Sequence, residues 1–296
     1  MDSKRSTMTE QWVPVAGGEV RVRRFRPSAG SGTPVLLVHG AFLNGHLWDG
    51  MIEALEASSQ LLDLIAADLP IGAHLRPMNT GTEVTIPSLV ALLIGVLDAL
   101  GVDRAVVAAN DSGGAITQHL IVAHPERFSG VLLTSTETAD NFPPRYFRFL
   151  FPPLRLRAVM WLTCQLLRTN LGRRLPFTFG HLIKRQLPTP EARTLMGALW
   201  SSRGARSDLR LFLKGADPAA MKRAEAKFDT FASPVDVAWS AEDRIFPDLD
   251  ASLLASSFPA GRRVADIFDA GSVSPLDQPE QVANRLLALV ERTTPQ

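Results

Sequence analysis

Asp111 stands at an abrupt change of local pattern. Arg104-Ala-Val-Val-Ala-Ala-Asn110 reads as a strand of small and β-branched residues, and it runs without a spacer into Ser112-Gly113-Gly114-Ala115-Ile-Thr-Gln-His-Leu120, which reads as a helix. A carboxylate held at such a turn has two chemistries open to it. It can attack an sp³ carbon bearing a leaving oxygen or halogen and form an alkyl ester, or it can carry protons as a general acid or base. Attack on an ester carbonyl is disfavoured, because the product would be an anhydride. An alkyl ester on Asp111 must be released by an activated water, so turnover depends on a base nearby. The bland alternative for Asp111 is an acidic turn residue or helix N-cap.

Six histidines could supply that base. His74 lies in Asp68-Leu-Pro-Ile-Gly-Ala-His74, a loop leaving a parallel strand at its carboxyl end, the side on which α/β sites assemble. It is the histidine expected to reach Asp111; otherwise it is a loop residue that packs or meets solvent. His119 falls on the helix after Asp111 and reads as core, His124 as surface, His46 as a helix start, and His181 lies in a basic segment. No pair has metal-ligand spacing, so neither a metal nor another cofactor is expected. The single cysteine, Cys164, sits in the apolar helical pattern Val159-Met-Trp-Leu-Thr-Cys164 and reads as packing. It rules out an internal disulfide and fits a reducing, cytoplasmic setting.

The elements that must position these groups alternate between strand and helix, the pattern of a parallel sheet covered on both faces. Trp12–Val15 and Glu19–Phe25, joined by Gly17-Gly18, predict an antiparallel edge hairpin. Pro34–His39, Leu62–Asp68, the strand before Asp111, Gly130–Ser135, Pro234–Trp239 and Arg262–Phe268 predict further strands. Helices are expected from about Pro87 to Gly101 and from Asp277-Gln-Pro-Glu280, whose spacing is that of a capping box. The segment 139–232 interrupts the alternation. A chain of 296 residues with 46% hydrophobic and 21% charged residues can bury a large core. Residues 1–9 are polar, no apolar run reaches membrane-spanning length, and the net charge of +1 argues against nucleic acid as a partner.

With those residues in view, the junction at Asp111 resembles the nucleophile elbow of α/β-hydrolases, in the branch related to haloalkane dehalogenases and epoxide hydrolases that carries aspartate at the elbow. In that family the nucleophile is followed by a variable residue, two glycines and a small residue, and thirteen positions on by His-Pro-Glu-Arg. Asp111 fits both spacings through Ser112-Gly113-Gly114-Ala115 and His124-Pro125-Glu126-Arg127, whereas reading Ser112 as nucleophile puts every landmark one residue out. Ala109 replaces the usual first glycine. The resemblance implies an α/β-hydrolase fold: a mostly parallel eight-stranded sheet flanked by helices, with a core at 10–138 and 233–296, a helical cap at 139–232 and a polar tail at 1–9. His39-Gly40-Ala41-Phe42 would be the oxyanion loop, pairing an N–H near Ala41 or Phe42 with that of Ser112; His39 itself is more often structural in this motif. Asp243, in Trp239-Ser-Ala-Glu-Asp243-Arg-Ile-Phe-Pro247, would be the orienting acid, with Glu242 as fallback. The family histidine is missing: Ala270-Gly271-Ser272 keeps its spacing to Pro279 but puts Ser272 in its place.

The same resemblance narrows the substrate. Dehalogenases place a tryptophan after the nucleophile and often an asparagine after His-Gly; Ser112 and Ala41 stand there, which argues against dehalogenation. Epoxide hydrolases protonate the epoxide oxygen with cap tyrosines, and Tyr146 at the cap entrance leaves epoxide or lactone opening as a reading. From Asn141 to Pro190 the chain has no acidic residue and nine arginines and lysines, with phenylalanines and Trp161 interleaved. This is a solvated face over an apolar lid or, functionally, the mouth for an apolar small molecule with an anionic handle. The expected activity is thus a hydrolase-like reaction through Asp111. A non-hydrolytic lyase, isomerase or cyclase, and a catalytically silent ligand-binding protein, remain open as alternatives because Ser272 replaces the base.

Overall fold

The computed structural model describes residues 6–28, 31–58 and 60–293. An edge hairpin comes first, β1 (Ser6–Val15) and β2 (Gly18–Pro27), paired along their whole length about the Gly17-Gly18 turn. Residues 6–9, read from sequence as part of a polar tail, are therefore strand: β2 offers them backbone partners from Pro27 to Arg24, and polarity is tolerated on an exposed edge. Then follow β3 (Thr33–Val38), α1 (Asp49–Glu56), β4 (Leu62–Ala67), α2 (Ile86–Ala99), β5 (Ala105–Asn110), α3 (Ser112–Ala123) and β6 (Phe128–Thr134). Six helices come between β6 and β7: α4 (Phe151–Leu154), α5 (Arg157–Leu166), α6 (Asn170–Arg174), α7 (Thr189–Ser201), α8 (Arg203–Lys214) and α9 (Pro218–Glu225). The chain ends with β7 (Val235–Ala238), α10 (Asp248–Ser256), β8 (Gly261–Arg263), α11 (Ser274–Asp277) and α12 (Pro279–Thr293).

The sheet has eight strands in the order β1-β2-β4-β3-β5-β6-β7-β8, antiparallel at its first two pairings and parallel beyond. β4 and β5 are buried at every residue, as expected for strands covered on both faces. On one face α1 packs against α12; on the other α3 packs between α2 and α9. Since α9 lies beside α3, the helices over the strand ends come from earlier in the 139–232 segment. The carboxyl ends of β3, β5, β6 and β7 converge, and the turns that follow them build the site. Asp277, read as a helix cap, does something else. Its carboxylate accepts from the backbone N–H groups of Lys184, Arg185 and Gly271, tying the 139–232 segment to the turn that carries Ser272.

Candidate active site

Asp111 adopts φ 53° and ψ −136°, a conformation costly for a residue with a Cβ. Its neighbours hold it there. The Asp111 N–H donates to Ser135 O at 3.0 Å, and the Thr136 hydroxyl and the Gly114 N–H both donate to Asp111 O at 2.8 Å. Two glycines make the turn sterically possible. A Cβ on Gly113 would lie 2.3 Å from Val38 O, and one on Gly40 would lie 2.3 Å from Asp111 Oδ2. The His-Gly loop thus presses its backbone directly against the Asp111 carboxylate.

That carboxylate accepts from the backbone N–H groups of Ser112 and Ala41, the two positions expected to line an oxyanion hole. Phe42 is not a donor there. At φ 65° its N–H turns away to Ile71 O at 3.1 Å, so of the two positions expected Ala41 is the donor, while Phe42 lines the cavity. Burial raises the Asp111 pKa to about 6 against the pull of those N–H donors, and the Asp243 charge adds to the rise.

Glu137 is the residue that the sequence did not reveal. It follows β6 by three residues, is buried, and lines the same cavity as Asp111. The Ser112 hydroxyl donates to its Oε1 at 3.0 Å, while Oε2 is buried with no hydrogen-bond partner among the described residues. Burial, reinforced by the Asp111 charge, pushes its pKa well above the usual carboxylate value.

Asp243 and Ser272 are brought together. The Ser272 hydroxyl donates to Asp243 Oδ1 at 2.6 Å, and the same oxygen accepts from the N–H groups of Ile245 at 2.8 Å and Phe246 at 3.0 Å. Asn110 fixes the Ser272 peptide by donating to its carbonyl at 2.8 Å. Burial raises the Asp243 pKa against these donors. Neither residue lines the cavity, where Val273 takes the adjacent place.

Three other expected site residues are elsewhere. His74 is buried with Nε2 3.0 Å from Asp208 Oδ2 and Nδ1 3.1 Å from Gly72 O; both ring nitrogens are engaged and the side chain does not line the cavity. A carboxylate far along the chain in α8 has captured it. His39 is wholly buried, with Nδ1 against Gly40 O and Nε2 accepting from the Leu69 N–H, so it braces the loop; burial lowers its pKa. The Tyr146 hydroxyl is paired with His181 Nδ1 and its ring packs on Phe147 and Phe177, leaving it outside the cavity lining. Among the described residues no histidine lines the cavity.

The cavity has a volume of about 430 Å³, in the range of small-molecule sites. Asp111, Ser112 and Glu137 form its floor; Phe147, Phe151, Val159, Phe179 and Leu213 are among its apolar walls. The described residues contain no cluster of side chains suited to a metal and no helix long and apolar enough to cross a membrane.

Comparison with known proteins agrees with this architecture. The chain is 32% identical over 104 residues to a 2-hydroxy-6-oxo-2,4-heptadienoate hydrolase of Pseudomonas putida, covering 35% of this chain and 37% of that protein. It is 33% identical over 140 residues to a 2-hydroxymuconate semialdehyde hydrolase of Pseudomonas putida, covering 45% and 47%. The chain thus matches less than half the length of these curated relatives. The haloalkane dehalogenase DbeA of Bradyrhizobium elkani superposes with a TM-score of 0.76 at 17% identity over 97% of this chain and 99% of that one. A Thermogutta terrifontis esterase does so with 0.69 at 19% identity over 97% and 99%. At such identities these likenesses speak to fold alone. The sequence model of the alpha/beta hydrolase fold matches residues 33–279, and the chain belongs to that family.

Proposed function

We propose that this α/β-hydrolase-family enzyme opens a strained C–O bond, in an epoxide or lactone, of an apolar small molecule, using Asp111 as nucleophile and Glu137 as proton carrier. The observation that carries the reading is a buried, under-bonded Glu137 beside Asp111 on the floor of one apolar cavity. Burial and mutual repulsion raise the proton affinity of both carboxyl groups, so that a proton held on Glu137 beside an ionised Asp111 would divide the acid and nucleophile roles. Ionised Asp111 attacks the substrate carbon, the C–O bond breaks, and Glu137 gives its proton to the departing oxygen. Glu137, now a carboxylate, takes a proton from water that attacks the Asp111 ester carbonyl. The Ser112 and Ala41 N–H groups hold the oxyanion; its collapse expels the alkoxide, Glu137 gives that oxygen its proton and takes another from the newly formed Asp111 acid, so the alcohol leaves and ionised Asp111 and protonated Glu137 are restored. The same switch of one carboxyl from acid to base operates in retaining glycosidases. No histidine is required. The same N–H groups already hold the Asp111 carboxylate, which disfavours the protein as an ordinary esterase.

A second reading has Asp111 and Glu137 exchange protons with substrate without any ester, as in an isomerase or lyase. An Asp111 pKa near 6 favours it, because a base is most effective near the working pH. Single turnover of apolar epoxides and lactones in H₂¹⁸O separates the two. The covalent route leaves ¹⁸O in the Asp111 carboxyl, seen by peptide mass; turnover without that label refutes it in favour of proton transfer. Saturable binding with no product would instead make this a ligand-binding protein.

A further inference from the structure

The surface around the cavity mouth carries a second signal, independent of the chemistry at Asp111. Large apolar side chains that remain exposed are concentrated in one stretch of the cap, including Phe149, Leu156, Trp161, Leu162, Leu171 and Phe177. Phe149 packs edge-on against Phe177 at 5.2 Å, and Phe177, Leu166 and Leu175 are at once partly exposed and part of the cavity lining. The apolar rim is therefore continuous with the cavity. Isolated exposed apolar residues need no explanation, but a contiguous patch around an opening marks a surface that meets something apolar.

Helix α5 shows how the patch is built. Met160 and Cys164 are buried on one side, Val159, Thr163 and Leu166 face the cavity, and the remaining arc is exposed. Helical spacing puts Arg157, Trp161 and Arg168 along one edge of that arc, with Leu162 between them and the mouth. Beside this edge, α8 contributes Arg203, Arg206 and Arg210, and with Arg157 and Trp161 they line a groove of about 310 Å³. Among the described residues none of Arg148, Arg157, Arg168, Arg203, Arg206 and Arg210 forms an ion pair, whereas Lys184 and Arg185 further along pair with Glu242, Asp269 and Glu191. Burial and then repulsion from Arg157 lower the Arg210 pKa, so like charges are crowded there. Uncompensated guanidinium groups flanking a Trp and Leu face fit an anionic bilayer: phosphates over the arginines, with Trp161, Leu162, Leu171 and Phe149 in the interfacial layer.

We propose that this face of the cap docks on anionic membrane surfaces, with the cavity mouth against the lipid. Co-sedimentation with phosphatidylcholine vesicles, alone or containing phosphatidylglycerol, tests it. The full chain should bind the anionic vesicles and release as salt rises. Arg157→Gln with Arg203→Gln should weaken binding by about tenfold or more, as should Leu162→Asp with Leu171→Asp; none of these four residues touches the cavity floor. Trp161→Phe should abolish most of the vesicle-induced blue shift in tryptophan emission while the protein still binds. Circular dichroism on each variant excludes misfolding as the cause. Binding to neither vesicle, equal binding to both, or binding unaffected by either double variant would overturn the proposal. Saturable binding of polyglutamate without vesicle binding would overturn it in favour of an acidic protein partner.

Discussion

Glu137 and Asp243 are both buried carboxyl groups at the carboxyl end of the sheet, and they differ in their access to the cavity. Three donors, Ser272 Oγ and the N–H groups of Ile245 and Phe246, converge on Asp243 Oδ1, behind the wall of the cavity. Glu137 accepts from the Ser112 hydroxyl and its own backbone N–H and faces the cavity; Glu137 Oε2 and Asp243 Oδ2 both lack a hydrogen-bond partner among the described residues, so what sets Glu137 apart is its access to the cavity. Burial raises the proton affinity of both groups, but only Glu137 opens onto the cavity, where a proton could reach a substrate. With Ser272 donating to it, Asp243 braces the turn behind the cavity, and under the proposed function the proton work falls to Glu137 on the other side of the elbow.

The largest test of that contrast is Glu137→Gln. Activity should require Asp111 ionised and Glu137 protonated, giving a bell-shaped profile of kcat/KM. Its acid limb falls as pH drops through about 6, where Asp111 takes up its proton, and its alkaline limb falls where Glu137 loses its own. Glutamine in place of Glu137 should lower the rate by about 10²–10⁴ and remove the alkaline limb. A variant with an unchanged profile would transfer the role away from Glu137.

Next is a stability effect at Asp111. Its folded pKa of about 6 lies above the ordinary 3.8, so the ionised form is disfavoured in the folded state. The penalty is absent below pH 4, grows between about 4 and 6, and is complete above that window. Asp111→Asn removes it. The variant should match the parent near pH 4 and exceed it by about 2–3 kcal/mol at pH 7, measured by urea unfolding at both values. Equal stability at pH 7 would show that the site is not strained by its charge.

His74 sharpens the contrast from outside the site. His74→Ala should cost about 2 kcal/mol, because buried Asp208 loses its imidazole partner and keeps only the Met78 N–H, while turnover stays within a few-fold. A selective slowing of product release would restore the role expected from its loop position.

These residues also mark what a sequence can and cannot disclose. The elbow was legible because Gly40, Gly113 and Gly114 are required by backbone approaches too close for a Cβ, and such requirements leave fixed spacings. The sheet was legible from uninterrupted apolar runs such as Val106–Ala109. Glu137 was not, since it belongs to no motif; its only trace is that it is the first charge after the β6 run, at the end of the sheet where sites assemble. His74 was correctly placed on that end, but which way a loop side chain turns depends on a partner, Asp208, that is 134 residues away. Tyr146 failed for the same reason, through His181.

The smallest expected effect concerns Ser272 itself. Removing its hydroxyl leaves Asp243 Oδ1 with two backbone donors, so the loss should be about 1.5 kcal/mol, the low end for a hydrogen bond to a charged acceptor. Burial already raises the Asp243 pKa, and losing a donor raises it further. The hydroxyl favours the ionised form, so its contribution is present at high pH and lost as pH falls through the folded pKa of Asp243. Ser272→Ala should therefore be most destabilising at alkaline pH and nearly neutral in acid, with kcat within a few-fold of the parent throughout. A kcat loss beyond about 10²-fold at unchanged stability would mean that Ser272 and Asp243 together polarise the water that frees Asp111, and the division of labour between the two carboxyl groups would be reversed.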